Sequence, residues 1–315
     1  MATFQTYQSI GNREDLTDVI YNISPTDTPF MSSVGKTKAS AVYHEWQTDS
    51  LAAAAQNAVV EGAAASSLTV SPTTRVGNRT QISSKTVKIA GTQEAIDKAG
   101  RKSEKAYQLA KASAELKRDM EKIFLDNNAA VTGDATTARE LGSLQAWINT
   151  NYSGGTSGTA GSLGTTARGD GTDRTFTESI LKANVKAVYE SGGNPTVLMT
   201  TPTQKQVVST FAGVAAQRYM APAEKPTTIV GAADVYLSDF GTLSVVPNRF
   251  MTSEADGGHQ AFVLDPEYAA IAYLRPFQTN ELARTGDAEE TQLLVEYTLE
   301  VKNEAAHGLI ADLAE

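Results

Sequence analysis

Apolar positions along the chain fall into three kinds of pattern. Near the start, Leu16, Val19, Ile20 and Ile23 recur at a spacing of three or four, which predicts one short amphipathic helix over residues 12–22. Glu14 and Asp15 fall in its first turn, where the helix dipole favours acids. Pro25 and Pro29 stop it, so "SPTDTPF" reads as an extended segment that delivers Phe30 and Met31 to some surface. This arm is too small to bury its own apolar face. From residue 93 to about 131 the period is again helical, carried by Ile96, Ala99, Ala106, Leu109, Ala110, Ser113, Leu116, Met120, Ile123 and Phe124. That is the longest rigid element expected, roughly 50 Å at 1.5 Å per residue, with Gly100 as the place for a bend. At the far end, Leu293, Val295, Tyr297, Leu299 and Val301 alternate with Leu294, Glu296, Thr298, Glu300 and Lys302, which predicts a half-buried strand.

The intervening stretches are less regular. Residues 51–89 open with "LAAAAQNAVVEGAAASS", which offers almost no large anchor. Alternating Leu68 and Val70, then Ile82, Val87 and Ile89, flank the turn-like "SPTTRVGNRT", so the segment reads as a long two-stranded excursion. An isolated hairpin is marginal in water, so this one needs a neighbouring surface. Residues 151–173, "NYSGGTSGTAGSLGTTARGDGTD", have no period and read as a mobile surface loop or boundary. An α/β unit follows: Thr175 and Glu178 form a capping box for a helix to about Ser191, and "GGN" ends it. Val197 to Met199 is a buried strand, and Thr201 with Pro202 starts a helix through Phe211. Short strands are expected around Ile229, at 235–237, 243–246, 261–264 and 269–274. The composite is α+β, with no internal repeat.

Composition narrows the chemistry. The 315 residues are 41% hydrophobic, enough for a substantial core. With no cysteine there are no disulfides, thiolate metal sites or Cys nucleophiles. His44, His259 and His307 lack metal-ligand spacing, and no cofactor motif is present. "VGKTK" ends like a phosphate-binding loop, but Phe30 stands where that motif needs its first glycine. No G-x-S-x-G elbow appears, and Glu289-Glu290 and Asp265 with Glu267 read as solvated charge rather than acid–base pairs. Arg168-Gly169-Asp170 and the sequons at Asn22, Asn78 and Asn151 are triplets short enough to arise by chance. No signal peptide or membrane span is evident, so the chain is expected to stay in the cytosol where it is made. A net charge of −9 argues against non-specific DNA binding, which depends on cations displacing counterions from phosphate.

The phrases "GNREDLTDVIYNISPTDTPFMSSVGK", "HEWQTDSLAAA", "TTRVGNRTQISSKTVKIAGTQEAIDKAGR" and "AYQLAKASAELKRDMEKIFL…GDATTARELGSLQAWINTN" resemble a tailed-phage major capsid protein family with the Hong Kong 97 type of fold. "VLMTTPTQKQVVSTF" and "FVLDPEYAAIAYLRPF" agree more loosely. The resemblance implies an N-terminal arm (1–48), an extended loop (49–90), a peripheral domain with a spine helix (91–140 and 265–315) and an axial domain (141–264). It implies a shell subunit that assembles with copies of itself in hexamers and pentamers, in the host cytoplasm, around double-stranded DNA that it does not read. On that basis Arg13, Glu14, Asp15, Leu16, Ile20, Phe30 and Met31 of the arm, and Arg75, Arg79 and Lys85 of the loop, are the candidate assembly residues, the charged ones as intersubunit ion pairs.

Some relatives weld subunits through a loop lysine; here none occurs between Lys38 and Lys85, which implies a non-covalent shell reinforced by a decoration protein. Met1 directly before the arm implies a separate scaffolding protein, and a portal completes the expected partners. No metal, cofactor or catalytic group is called for. Two other classes stand beside this one, a tail or connector ring protein and a soluble enzyme using carboxylates, and particle size separates them.

Overall fold

A computed structural model describes residues 24–64, 70–98, 100–211, 234–251, 259–284 and 286–314. The helix expected over 12–22, with Arg13, Glu14, Asp15, Leu16 and Ile20, lies outside the described residues, as do Leu68 and the strand expected around Ile229.

Two sheets organise the chain. The first has four strands in the order β1 (Gly35–Lys38), β10 (Ala269–Glu281), β11 (Ala288–Val301) and β4 (Gln81–Ala90). Its centre is the long antiparallel β10–β11 pair, whose register slips between Arg275 and Gln278 around Pro276, a residue with no N–H to give the ladder. β11 alternates as the sequence predicts, but it is buried on both faces rather than one. Leu293, Val295, Tyr297, Leu299 and Val301 enter the main core, while Glu296 on the other face is held by Arg275 Nε at 2.7 Å, Thr80 Oγ1 at 2.9 Å and the Arg139 guanidinium.

Across β4 and β11 lies α3 (Glu104–Leu125). Ser103 caps it by accepting from Ala106 N, and the Glu94 carboxylate accepts from Glu104 N and Lys105 N, so its first turn has its donors met. The expected single helix is therefore two: α2 (Gly91–Ala95) ends before a break that contains Gly100 at φ +76°, and α3 alone spans about 33 Å. A further difference concerns "SPTTRVGNRT", which is not a turn but contains β3 (Thr74–Arg79), paired antiparallel with β2 (Tyr43–Thr48).

The second sheet has six strands in the order β5 (Tyr152–Ser153), β12 (Gly308–Leu313), β9 (His259–Leu264), β6 (Val197–Thr200), β8 (Gly241–Pro247) and β7 (Val235–Ser238). Helices α5 (Glu178–Glu190) and α6 (Pro202–Val208) pack on it around a core that includes Leu181, Val185, Val188, Leu198, Val245 and Val263. Thr201 caps α6 through Gln204 N as expected, and Gly192 at φ +92° ends α5. The N-cap of α5 is Thr177, without a side-chain bond, in place of the expected capping box on Thr175. β12, which periodicity does not reveal, carries the chain end back into this sheet rather than into the unit built on the long helix.

Two local expectations are overturned. Pro29 does not hold an extended segment; it opens α1 (Pro29–Ser33), a single turn that sinks Phe30 and Met31 into the subunit's own core, at 0% and 9% exposed. Residues 151–173 are not a loose boundary either. They fold against α4 (Leu144–Trp147) and β12 around Arg168, which is buried and bonds Asp312 Oδ1 at 2.9 Å and Gln145 Oε1 at 2.7 Å.

Candidate assembly surface

Large apolar groups are exposed at several places among the described residues, but four of the five most exposed lie on one segment, the fifth being Leu237 of β7. Beyond β2 the chain leaves the fold at Asp49 and returns at Thr74 with no regular element in its described part. There Leu51 is 98% exposed, Val59 72%, Val60 80% and Val70 83%. Water is a poor environment for a run of aliphatic groups held out on a protein surface, and such patches mark contacts with another macromolecule.

The root of this excursion is firm. Trp46 of β2 stacks on Trp147 of α4 with ring centroids 5.3 Å apart. Asn78 of β3 is buried and uses its whole amide: Nδ2 donates to Gly142 O and Leu299 O, both at 2.9 Å, and Oδ1 accepts from Gly142 N at 2.8 Å. Thr37 Oγ1 and His44 Nε2 both meet Glu300 Oε2, at 2.7 and 3.2 Å. A rigid two-stranded stalk therefore carries an exposed tip.

The cations proposed for the loop serve the subunit itself. Arg75 Nε bonds Glu45 Oε1 at 2.9 Å across the β2–β3 pair, and the Arg79 guanidinium lies 5.2 Å from the centre of the Tyr43 ring. Lys85, on β4, reaches Asp119 Oδ2 at 2.9 Å and Glu115 Oε2 at 3.2 Å on α3. Burial works against its charge, but the bonds to Asp119 and Glu115 prevail and raise its pKa. All three contacts lie within the chain. Phe30 and Met31 do not face outward as expected, because they lie in the subunit's own core.

The described residues hold no group of three or more His, Asp or Glu side chains that could bind a metal, and no helix among them is long and apolar enough to cross a membrane. An open cleft of about 470 Å³ between β4 and the start of α3 is lined by residues such as Lys88, Gln93, Glu104 and Gln108. The phosphate-loop look-alike is strand β1, Arg168 of the adhesion-like triplet is buried, and the sequon residues Asn78 and Asn151 are buried too. His307 is wholly enclosed, and burial lowers its pKa to about 4.

Comparison with known proteins identifies the family. The sequence model for SU10 major capsid proteins matches residues 2–314. The chain belongs to that family. A curated relative, the major capsid protein of Escherichia phage Phieco32, is 26% identical over 345 aligned positions, covering 98% of this chain and 96% of its own. Among solved structures, the subunit of the cyanophage A-1(L) capsid superposes with a TM-score of 0.72 at 12% identity over 99% of both chains. That of a native GTA particle capsid gives 0.63 at 12% over 98% of both. The fold is accordingly of the HK97 type. As a major capsid protein, the chain associates with copies of itself to form the shell of a phage head, and the ring-protein reading gives way. Its family is a structural one.

Proposed function

We propose that residues 49–73 lie across the next subunit of the shell, and that residues 1–23 do the same from the other end of the fold. The observation that carries this is the contrast in exposure: the stalk is fastened by buried bonds, while the aliphatic groups at its tip have no cover within their own chain. Repeating one such contact around closed symmetry covers every tip without leaving an open edge. On this reading the copies group in hexamers and pentamers and close an icosahedral shell around double-stranded DNA in the host cytoplasm. A net charge of −9 suits a container whose contents must leave, because it offers phosphate no excess of cations. The unit with the long helix serves as the peripheral domain, and the six-stranded unit surrounds the capsomer axis. Scaffolding, decoration and portal proteins complete the set of partners, and the shell is held by non-covalent contacts.

A loop-deletion variant tests the reading. Joining Ser50 to Ser71 by a short Gly-Ser linker keeps the β2–β3 pairing, in which Thr48 faces Thr74. The subunit should melt as the wild type does, and negative-stain microscopy of the full chain made with its head-assembly partners should show no closed particles. Normal particles from this variant would refute the bridging role.

A further inference from the structure

We infer that Glu121 is the positioning residue that sets the direction in which the N-terminal chain leaves the subunit, an inference that rests on the reading of residues 1–23 as a bridge between copies. Glu121 is 0% exposed, on the α3 face that also carries Leu116, Met120 and Phe124. Its two oxygens take consecutive backbone donors of α1: Oε1 accepts from Phe30 N at 2.7 Å and Oε2 from Met31 N at 2.9 Å. One hydrogen bond would let the turn pivot, whereas two parallel bonds to one planar carboxylate define a single orientation. Ser32 adds to the lock, since both its N and its Oγ reach back to Thr28 O, at 3.1 and 2.8 Å. Phe30 then sets its ring 5.9 Å from that of Phe124.

The carboxylate also looks the other way. Asn248 Nδ2 donates to the same Oε1 at 2.7 Å, and Asn248 is itself fixed by its N on Thr200 O at 2.8 Å and by Phe250 N on its Oδ1 at 2.9 Å. One buried acid thus joins the root of the arm, the long helix and the six-stranded unit. Among the described residues no cation pairs with it. Burial disfavours such a lone charge, and raises its pKa against the opposing bonds from Met31, Phe30 and Asn248. An apolar side chain would avoid the buried charge, although it would leave Phe30 N, Met31 N and Asn248 Nδ2 without this acceptor. What an apolar group could not supply is orientation, the role for which buried polar groups are best attested.

The test uses the full chain with its assembly partners, in three forms: Glu121→Leu, Glu121→Gln and a deletion of residues 1–23. In the unassembled Glu121→Leu subunit, the long helix and both sheets should persist by circular dichroism. Hydrogen exchange at the Phe30 and Met31 amides should rise about tenfold or more, as local opening there no longer breaks a charge-assisted bond. Closed particles should fall about as steeply, replaced by open or irregular shells. Glu121→Gln keeps one acceptor but turns an NH₂ toward a donor, so its particle yield should fall between those of the wild type and Glu121→Leu. If both substitutions assemble at wild-type yield while the deletion does not, the positioning role is wrong and the arm reading stands. Should the deletion itself give normal particles, the arm reading fails and this inference with it. Unfolded subunits from both substitutions would also overturn it, because Glu121 would then be a structural cap alone.

Discussion

Residues 49–73 and 151–173 draw on nearly the same alphabet of Ala, Gly, Ser and Thr, yet the described part of the first hangs off the fold and the second is built into it. The difference is what each segment offers the body. Within 151–173, Arg168 brings a guanidinium that Asp312, Gln145 and Asp170 surround, and Tyr152 adds a hydroxyl to the same Asp312 carboxylate. Its glycines are used for close approach: a Cβ on Gly155 would stand 1.9 Å from Thr172 O, where Gly155 N instead gives its bond to Asp312 Oδ2 at 2.8 Å. Within 49–73, Gly62 has nothing within 4 Å of where its Cβ would be, and the described aliphatic groups face water. Small residues thus permit either outcome. A single buried charge with its partners is what converts a permissive segment into a fixed one, and a segment without such an anchor is left for contacts outside the chain.

The strongest way to break this comparison is to remove the anchor. Arg168 and Asp312 are both essentially unexposed, and truncating Asp312 leaves the buried guanidinium with only the half-exposed Asp170 to balance it, a loss of up to about 3–5 kcal/mol. Asp312→Ala should lower the urea midpoint of the unassembled subunit by a corresponding amount and open residues 151–173 to proteolysis. Glu61→Ala, a change of similar size in the exposed segment, should leave the midpoint where it was. Equal effects from the two substitutions would show that the anchor is not what separates the segments.

The same contrast explains what can be read from the sequence. Periodicity is local, and it serves wherever an element is set by its own residues: the apolar face of α3, the alternation of β11, and the Thr201–Pro202 start of α6. It fails where the deciding partner is remote. Arg168 and Asp312 are 144 positions apart, and nothing in the Gly-rich run announces which cation will be buried. Phe30 and Met31 read as outward-facing because the acid that draws them in, Glu121, is some 90 positions away and sits in a helix where it reads as one more surface charge. β12 escapes periodicity because "GLIADL" is buried at every position, so it has no alternation to see. The strand hidden in "SPTTRVGNRT" is held by Asn78, a residue that on its own signals a turn. Of the proposed assembly residues, Arg75, Arg79 and Lys85 do lie near the excursion, but their partners are within the chain.

A second, somewhat smaller effect should appear with pH. His307 lies beneath the start of the packed segment, where Asn151 Nδ2 donates to its carbonyl at 3.2 Å. Burial depresses its pKa from 6.5 to about 4, against the pull of Asp265 and Glu304, so the unfolded chain binds a proton that the folded one refuses. The sign follows: this contribution is fully present above about pH 6.5 and is lost as pH falls toward 4, by on the order of 3 kcal/mol in all. Denaturant midpoints measured from pH 7 to pH 4 should fall in the wild type and fall less in His307→Gln. Parallel slopes for the two proteins would assign the acid sensitivity elsewhere.

The smallest effect sharpens the comparison from the other side. Lys85 is the cation that joins β4, next to the excursion's return strand, to the long helix, through Asp119 and Glu115. Its side chain is 30% exposed and those of its partners 49% and 36%, so water and salt screen the attraction. Lys85→Ala should therefore lower subunit stability by no more than about 1 kcal/mol, and the difference should shrink in high salt. Because the pairing is within one chain, closed particles should form at close to wild-type yield. A stable Lys85→Ala subunit that fails to assemble would mean that Lys85 leaves Asp119 and Glu115 for an acid on the neighbour when the shell forms. In that case the exposed segment and the arm would not be the only bridges, and the line between what serves the subunit and what serves the shell would run through β4 itself.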